Sequence, residues 1–236
     1  MDRPFLTLPR LPVQFPLSTD SVLLADFAVL PRKHARVADL GAGIGTLGLL
    51  LCQKDPSCRV DGLELQPGAA ALAPAVIREN GMEGRISVYP GDLRDAAAYL
   101  PRGGYDLVVS NPPYFPAGSG AQAASQELAL ARTELGCTLR DVCRAAAALL
   151  HTGGRFCLVH RPERLCDVIS ELRAVRLEPK RLRLVCHRPS VPPSLLLLES
   201  RLGGRPGLTI LPELVLRGAD GRETAEYRRI YGLGGT

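Results

Sequence analysis

The sequence lacks the features that mark a membrane protein, a secreted protein or a zinc protein. Its 236 residues include no apolar run near the roughly 20 residues that a membrane-spanning helix needs. The first residues lack the charged and apolar regions of a signal peptide. The seven cysteines form no Cys-x-x-Cys pair, and the four histidines are not clustered with them. We therefore expect a cytoplasmic protein with no membrane segment and no metal.

The chain also lacks internal repeats and any linker long enough to separate two large domains. Hydrophobic residues make up 46% of the sequence, and its length suffices for one α/β domain with a sizeable core. We divide it into an arm and helix at 1–31, a main domain at 32–202 and a C-terminal tail at 203–236. The thiols predicted to be buried, because their neighbours are apolar, are Cys52, Cys143 and Cys157.

Strand patterns and helix patterns alternate along the chain. Short apolar, β-favouring runs predict strands at 37–40, 60–64, 86–89, 105–109, 155–159, 182–186 and 194–200. Helical spacing and cap residues predict helices at 18–31, 46–53, 67–80, 139–150 and 162–174. Pro74 predicts a kink or a break inside the third of these helices. The alternation predicts an α/β fold with a mainly parallel sheet that is covered by helices on both faces.

The fourth predicted strand ends in the turn Asn111-Pro112-Pro113-Tyr114. The carboxyl end of a strand is where open α/β sheets bind their ligands. Proline has no N–H and holds the preceding residue extended, so this turn is stiff. The Asn111 amide oxygen and the Pro112 carbonyl can accept both hydrogens of one amino group, and the Tyr114 ring can stack on a flat base. The same residues also occur in ordinary strand-ending turns.

A glycine-rich turn follows the first predicted strand. Gly41, Gly43 and Gly45 allow the backbone to approach a ligand closely. Gly43, Gly45 and Gly48, with Glu64 about 20 residues further on, also match the G-x-G-x-x-G pattern of NAD-binding proteins. The glycines alone therefore leave two cofactor classes open.

Three carboxylates favour a cationic cofactor over NAD. Asp39 precedes the glycine turn, where it would repel a pyrophosphate and attract an ammonium group. Glu64 can accept from both hydroxyls of a ribose, and Asp92 can accept from an adenine amino group. Each acid alone can be a helix cap or a solvated loop residue. Acids at three successive strand ends fit S-adenosylmethionine (SAM).

These motifs resemble the bacterial tRNA adenine-N6 methyltransferase family that acts on adenine 37 of valine tRNA. The resemblance covers most of the chain, and the similar stretches are 18–24, 37–45, 63–65, 80–81, 91–92, 111–115, 131–134 and 214–218. It implies a Rossmann-like class I methyltransferase fold with a seven-stranded, mostly parallel sheet and one antiparallel strand. It also implies that the segment around Thr19 and Asp20 closes over the cofactor.

The resemblance implies direct methyl transfer from SAM to adenine N6 of tRNA or another structured RNA, near the anticodon. The catalytic residues would be Asn111, Pro112 and Tyr114. The cofactor-binding residues would be Thr19, Asp20, Asp39, Gly41, Gly43, Glu64, Asp92 and Asn111. Pro113, Phe115 and Arg132 are expected to bind the substrate.

The basic residues are concentrated in segment 155–188. It holds nine lysines and arginines against four acids, an excess equal to the net charge of +5 of the whole chain. Arg181 and Arg183 are two residues apart on a predicted strand and therefore share one face. We expect both to bind RNA phosphates. The same charges can instead protect an edge strand in solvent.

Two other activities use the same Asn-Pro-Pro-Tyr chemistry. A glutamine-amide N5-methyltransferase acting on a protein such as a release factor usually has an N-terminal helical domain, which the short arm here is not expected to provide. A DNA adenine methyltransferase is the other alternative. A SAM-binding or RNA-binding module without activity is disfavoured because Asn111 is present. We expect the protein to act as a monomer or a homodimer.

Overall fold

A computed structural model describes residues 9–112 and 137–233. The strands in these ranges are β1 (Arg36–Leu40), β2 (Arg59–Glu64), β3 (Ile86–Pro90), β4 (Tyr105–Ser110), β5 (Leu150–His160), β6 (Leu177–Cys186), β7 (Leu195–Leu202), β8 (Thr209–Ile210) and β9 (Leu214–Val215). The α-helices are α1 (Thr19–Phe27), α2 (Thr46–Lys54), α3 (Pro67–Glu79), α4 (Ala96–Tyr99), α5 (Leu139–Leu149), α6 (Leu165–Ala174) and α7 (Ala225–Ile230).

The described strands form one sheet in the order β3-β2-β1-β4-β5-β7-β6-β8, and β9 also pairs with β6. Strand β7 runs antiparallel to both of its neighbours, and all other pairs are parallel. The predicted mostly parallel α/β sheet with one antiparallel strand is therefore confirmed. Strands β1 to β7 are the seven that were expected. Strands β8 and β9 add two residues each beside β6.

Helices cover both faces of this sheet because successive strand residues point to opposite sides. Val37 and Val109 belong to the apolar cluster that also contains α1, α2 and α3. Their neighbours Ala38 and Val108 belong to the cluster that contains α5 and α6. We call the two sides the α1 face and the α5 face. The three thiols predicted to be buried lie in these clusters.

Helix α1 is buried along most of its length, from Ser21 to Phe27. It begins where the sequence predicts, because the Ser18 side chain accepts a hydrogen bond from the backbone N–H of Ser21 at 3.2 Å. It ends at Phe27 and not at Pro31. The Lys54 ammonium donates to the carbonyl oxygens of Ala25 at 2.6 Å and Ala28 at 2.5 Å. This lysine satisfies carbonyls that the end of a helix leaves unpaired.

Several other boundaries differ from the sequence prediction. Strands β5 and β6 start at Leu150 and Leu177, earlier than predicted. The prediction began too late because polar residues in the first half of each strand mask the strand pattern. Helix α3 runs through the exposed Pro74 without a break. Helix α6 starts only at Leu165, after a 3-10 turn. Helices α4 and α7 were not predicted.

The residues after β7 pack on the α1 face. Arg229 donates to both carboxylate oxygens of Asp26, at 3.1 and 3.2 Å, and Ile230 is buried in the same cluster. Helix α7 therefore fixes the position of α1 from outside. None of the helices in the described ranges is long and apolar enough to cross a membrane.

Candidate active site

Four predicted site residues lie at the carboxyl ends of four neighbouring strands. Asp39 is in β1, Glu64 ends β2, Asp92 follows β3, and Asn111 follows β4. Since the strand order is β3-β2-β1-β4, the order across the edge is Asp92, Glu64, Asp39 and Asn111. Adjacent strands are about 4.8 Å apart, so this row spans about 15 Å. A long ligand that lies across the strand ends can contact all four residues.

The glycine turn is held against the end of β2. The backbone N–H groups of Gly41 and Ala42 donate to the Leu63 carbonyl, at 2.9 and 3.1 Å. The N–H of Gly43 donates to Glu64 Oε2 at 2.7 Å. Gly41 and Gly43 have φ values of +80° and +57°, and a Cβ placed on either would meet no atom within 4 Å. The space beside these two residues is therefore open to a ligand.

Glu64 holds the glycine turn in place and can also accept hydrogen bonds from a bound molecule. Its two oxygens accept from the N–H groups of Gly43 and Gln66, both at 2.7 Å, and the residue is 7% exposed. Each carboxylate oxygen has about two lone-pair positions, so Glu64 can accept further hydrogen bonds from hydroxyls. The two backbone contacts fix the orientation of the carboxylate and therefore the directions from which hydroxyls can donate to it.

Asp39 is the buried acid of the site. It is 1% exposed, and within the described ranges neither carboxylate oxygen has a hydrogen-bond partner. Burial, and then the nearby charge of Glu64, raise the pKa of Asp39 to about 8. A buried acid without a partner is costly. A cationic group from a ligand would supply the partner that the protein does not.

Asp92 differs from Asp39 because it is already paired. Its Oδ1 accepts from the backbone N–H of Arg94, and its Oδ2 accepts from Arg94 Nε, both at 2.8 Å. The hydrogen bond from the Arg94 side chain lowers the pKa of Asp92. The carboxylate therefore starts the 3-10 turn after β3 as a cap. The carboxylate can still accept one more hydrogen bond, from the N–H of an amino group.

Asn111 is joined to the N-terminal segment. Its Nδ2 donates to Ser21 Oγ at 3.2 Å, and Ser18 Oγ donates to the same oxygen at 2.9 Å. Ser21 is 8% exposed, whereas Ser18 lies at the surface, so both contacts are partly buried. The predicted cofactor residues Thr19 and Asp20 stand in the first turn of α1, directly before Ser21. The structure thus brings the N-terminal segment and the Asn111 motif together.

Four predicted site residues cannot be placed. Pro113, Tyr114, Phe115 and Arg132 lie outside the described residues. Pro112 is described and buried at the end of β4.

Arg181 and Arg183 do share one face, the α1 face, but each has an intramolecular partner there. Arg181 Nη1 donates to Glu199 Oε2 at 2.8 Å, and its guanidinium lies 4.6 Å from the centre of the Phe27 ring. Arg183 donates to both carboxylate oxygens of Glu226, at 2.9 and 2.8 Å. Their side chains are 24% and 16% exposed. Neither arginine lies beside the row of strand-end residues, and their binding to RNA stays a prediction.

Sequence reasoning missed the residues that position α1. Ser21 was seen only as part of a helix cap, because nothing in the sequence shows that it reaches a residue 90 positions later. Tyr231 forms a side-chain hydrogen bond with Thr19, and burial raises the pKa of Tyr231 to about 12. A segment that follows a long Gly-rich stretch gives no signal for such a contact.

The row of strand-end residues fits SAM better than a dinucleotide. The buried Asp39 lacks a partner and suits the ammonium of an amino-acid moiety, while a pyrophosphate beside it would be repelled. Open space next to Gly41 and Gly43 leaves room for the cofactor itself. With the antiparallel β7 in the sheet, this combination is that of the class I SAM-dependent methyltransferases.

The chain belongs to the methyltransferase small domain family, whose family model matches residues 18–175. It is similar to a protein of Porphyromonas gingivalis named tRNA1(Val) (adenine(37)-N6)-methyltransferase, with 32% identity over 91% of this chain and 86% of that protein. A protein of Pectobacterium carotovorum with the same name is 38% identical over 61% of this chain and 56% of its own length. The predicted family and enzyme class are therefore confirmed.

A solved structure shows the same fold over nearly the whole chain. The crystal structure of a predicted O-methyltransferase from Agrobacterium tumefaciens superposes with a TM-score of 0.75. It covers 91% of this chain and 96% of its own length at 23% sequence identity. This coverage is larger than that of the family match at 18–175.

Proposed function

We propose that the protein transfers the methyl group of SAM to N6 of an adenine in tRNA, near the anticodon. The observation that carries this proposal is the position of Asn111, an amide acceptor, at the end of the row formed by Asp92, Glu64 and Asp39. The names of the relatives support adenine N6 of tRNA as the acceptor. The proposal includes a cytoplasmic enzyme that works as a monomer or a homodimer.

The three acids would hold the cofactor across the strand ends. Asp39 would face its ammonium group, Glu64 its ribose hydroxyls, and Asp92 the amino group of its adenine. When bound, SAM supplies an electrophilic methyl group on a sulfonium. Thr19 and Asp20 stand at the Asn111 end of this row and would close over the cofactor from there.

Asn111 and Pro112 would activate the acceptor. Adenine N6 is a poor nucleophile because its lone pair is delocalised into the ring. The Oδ1 atom of Asn111 and the carbonyl oxygen of Pro112 each accept one amino hydrogen, which returns electron density to the nitrogen. Both acceptors follow one rigid strand, so N6 is held in one direction, and this alignment lowers the barrier. The amino group becomes cationic during transfer and loses its proton afterwards, so no strong base is required.

The RNA must present an unpaired adenine to these residues. A loop base costs less to extract than a paired base, which makes an anticodon loop a suitable target. Tyr114 would stack on the extracted ring, with Pro113, Phe115 and Arg132 next to it. Arg181 and Arg183, which we predicted to bind phosphates, would have to do so while keeping their partners Glu199 and Glu226.

A methylation assay on three acceptors tests this proposal. The purified protein would be incubated with labelled SAM and, in parallel, tRNA from a strain lacking the corresponding activity, a release factor and unmethylated DNA. We expect N6-methyladenosine at one position of a tRNA, identified by mass spectrometry of nucleosides, and about 10²–10³-fold slower product formation with Asn111→Ala. Methyl incorporation into glutamine of the release factor, or into DNA alone, would contradict the proposal.

A further inference from the structure

The basic segment 155–188 has little charge available for an RNA partner. Five of its nine basic residues form ion pairs with acids: Arg155 and Arg181 with Glu199, Arg164 with Asp167, Arg173 with Glu178, and Arg183 with Glu226. Arg161 and Lys180 donate to backbone carbonyls. An arginine whose charge is partly neutralised by an acid neutralises a phosphate less fully, so fewer counterions are released from the RNA.

Two arginines that have no partner among the described residues line a cleft on the α5 face. This cleft of about 820 Å³ lies between residues 93–102 and one side of α5. Arg102 and Arg144 line it, and both are exposed. Neither has a hydrogen bond or an ion pair with another residue of the described ranges. Within these ranges no ion pair neutralises their charge, so both arginines can act on an anionic ligand.

The backbone places these two arginines along the same side of α5. The N–H of Gly103 donates to the carbonyl of Ala148 at 3.1 Å, which places Arg102 beside the C-terminal end of α5. Arg144 precedes Ala148 by one helical turn and lies on the same side of the helix. Two acids, Asp95 and Asp141, also line the cleft. Asp141 is engaged in the cap of α5, where it accepts from Thr138 Oγ1 at 2.7 Å.

The cleft extends towards the cofactor edge. Its lining also includes Arg94, the partner of Asp92, and Tyr99, which is 48% exposed. Strand β4 runs from the Arg102 end to Asn111, and its six residues correspond to about 20 Å. A phosphate at Arg102 is therefore much too far from Asn111 to belong to the modified nucleotide. It suits a paired stem that continues from the loop carrying that nucleotide.

We propose that this cleft, through Arg102 and Arg144, binds the phosphate backbone of the RNA stem next to the methylated loop. The proposal rests on the proposed function, since it assumes a structured RNA substrate. Phosphate contacts of this kind position the RNA without reading its sequence. The surface lies on the side of the sheet opposite to Arg181 and Arg183.

A pair of double variants tests the cleft. Arg102→Gln/Arg144→Gln removes the two cleft arginines that have no partner in the part of the chain that the structure describes. The matched control Arg176→Gln/Arg188→Gln removes two exposed arginines of segment 155–188 that likewise have no partner in the described ranges. Binding of bulk bacterial tRNA would be measured at several salt concentrations. We expect the cleft variant to bind about 10- to 100-fold more weakly at 0.1 M salt, with a salt slope reduced by about 1.4–1.8.

Turnover separates this inference from the proposed function. The cleft variant should raise KM for tRNA and leave kcat and SAM affinity unchanged, while the control variant should match the wild type in every measurement. Suppose that the wild-type enzyme methylates tRNA and that the cleft variant binds tRNA with wild-type affinity and salt slope. That result overturns the docking role of the cleft but not the proposed function. A reduced salt slope of tRNA binding in the control variant alone would place RNA docking in segment 155–188, and it would also overturn the docking role of the cleft. A wild-type protein that binds no tRNA overturns both proposals.

Discussion

Asn111 Nδ2 lies 3.2 Å from Ser21 Oγ, so the amide proposed to activate the substrate is bonded to the first turn of α1. The same hydroxyl accepts from Ser18 Oγ at 2.9 Å, and Ser18 caps that helix. The cap of α1 and the orientation of Asn111 are thus linked through one buried oxygen. The segment expected to cover the cofactor is part of the same unit.

Replacing Ser21 by alanine tests whether this contact restrains Asn111. We expect Ser21→Ala to lower kcat about 10-fold, the equivalent of one hydrogen bond, because the amide can rotate away from the acceptor nitrogen. SAM affinity, measured by calorimetry, should stay within about two-fold. Ser18→Ala is the matched control, since it costs about 1 kcal/mol of helix capping but leaves Ser21 Oγ beside Asn111. Equal kcat values for the two variants would show that only helix stability is at issue.

Removing the amide itself should have a larger effect. We expect Asn111→Ala to reduce methyl transfer by about 10²–10³-fold, because it removes one preorganised acceptor from the transition state. The affinity for SAM should change by only a few-fold, since the amide serves the acceptor base. Asn111→Asp keeps an oxygen acceptor and should retain more activity than alanine. Single-turnover rates measure both, and a normal rate for Asn111→Ala would refute the assigned role.

The raised pKa of Asp39 predicts how stability depends on pH. The unfolded carboxyl titrates near its ordinary pKa of about 3.9, while the folded one titrates at about 8. Between these values the folded state holds more protons, so its stability should fall as the pH rises from about 4 to 8. Asp39→Asn should remove this fall. Urea unfolding at several pH values measures it, and an unchanged pH profile in the variant would assign the effect to other groups.

The raised pKa of Asp39 also predicts that protons are released when the cofactor binds. At pH 7 the buried Asp39 is largely protonated, and an ammonium placed beside it would favour the ionised form. Binding of SAM should therefore release a proton, up to about one per site. Calorimetry in two buffers of different ionisation enthalpy detects this release. The release should vanish in Asp39→Asn; if it persists there, the proton comes from the ligand.

Arg181 is predicted to matter for stability. Arg181→Gln would leave Glu199, which is 5% exposed, with a weakened partner, and should lower the free energy of unfolding by about 1.5–3 kcal/mol. Arg188→Gln changes the charge equally at an exposed site and should have almost no effect. Denaturant unfolding compares the two variants. A negligible loss for Arg181→Gln would mean that its ion pair does not stabilise the fold.

Local sequence signals were sufficient for the sheet and for the residues at its edge. Apolar runs, glycine turns and proline stops are properties of a few adjacent residues, so β1 to β4 and the positions of Asp39, Glu64, Asp92 and Asn111 follow from the sequence. They failed for the first half of β5, whose polar residues carry no apolar strand pattern. They also failed for the first half of β6, whose polar residues pair with β7 about 20 positions later. They also failed for α7, whose packing depends on Asp26, 203 positions before Arg229.

The sequence by itself determined the class of fold, the class of cofactor and the position of Asn111 at a strand end, because each depends on residue type and short spacing. The tertiary structure decided which charges are available and which groups touch. Segment 155–188 carries the excess charge, yet folding pairs most of it with acids, while Arg102 and Arg144 remain exposed. Folding likewise brings Ser21 to Asn111 and leaves Asp39 buried without a partner within the described ranges. Charge pairing and burial are relations between distant residues, and only the packed chain specifies them.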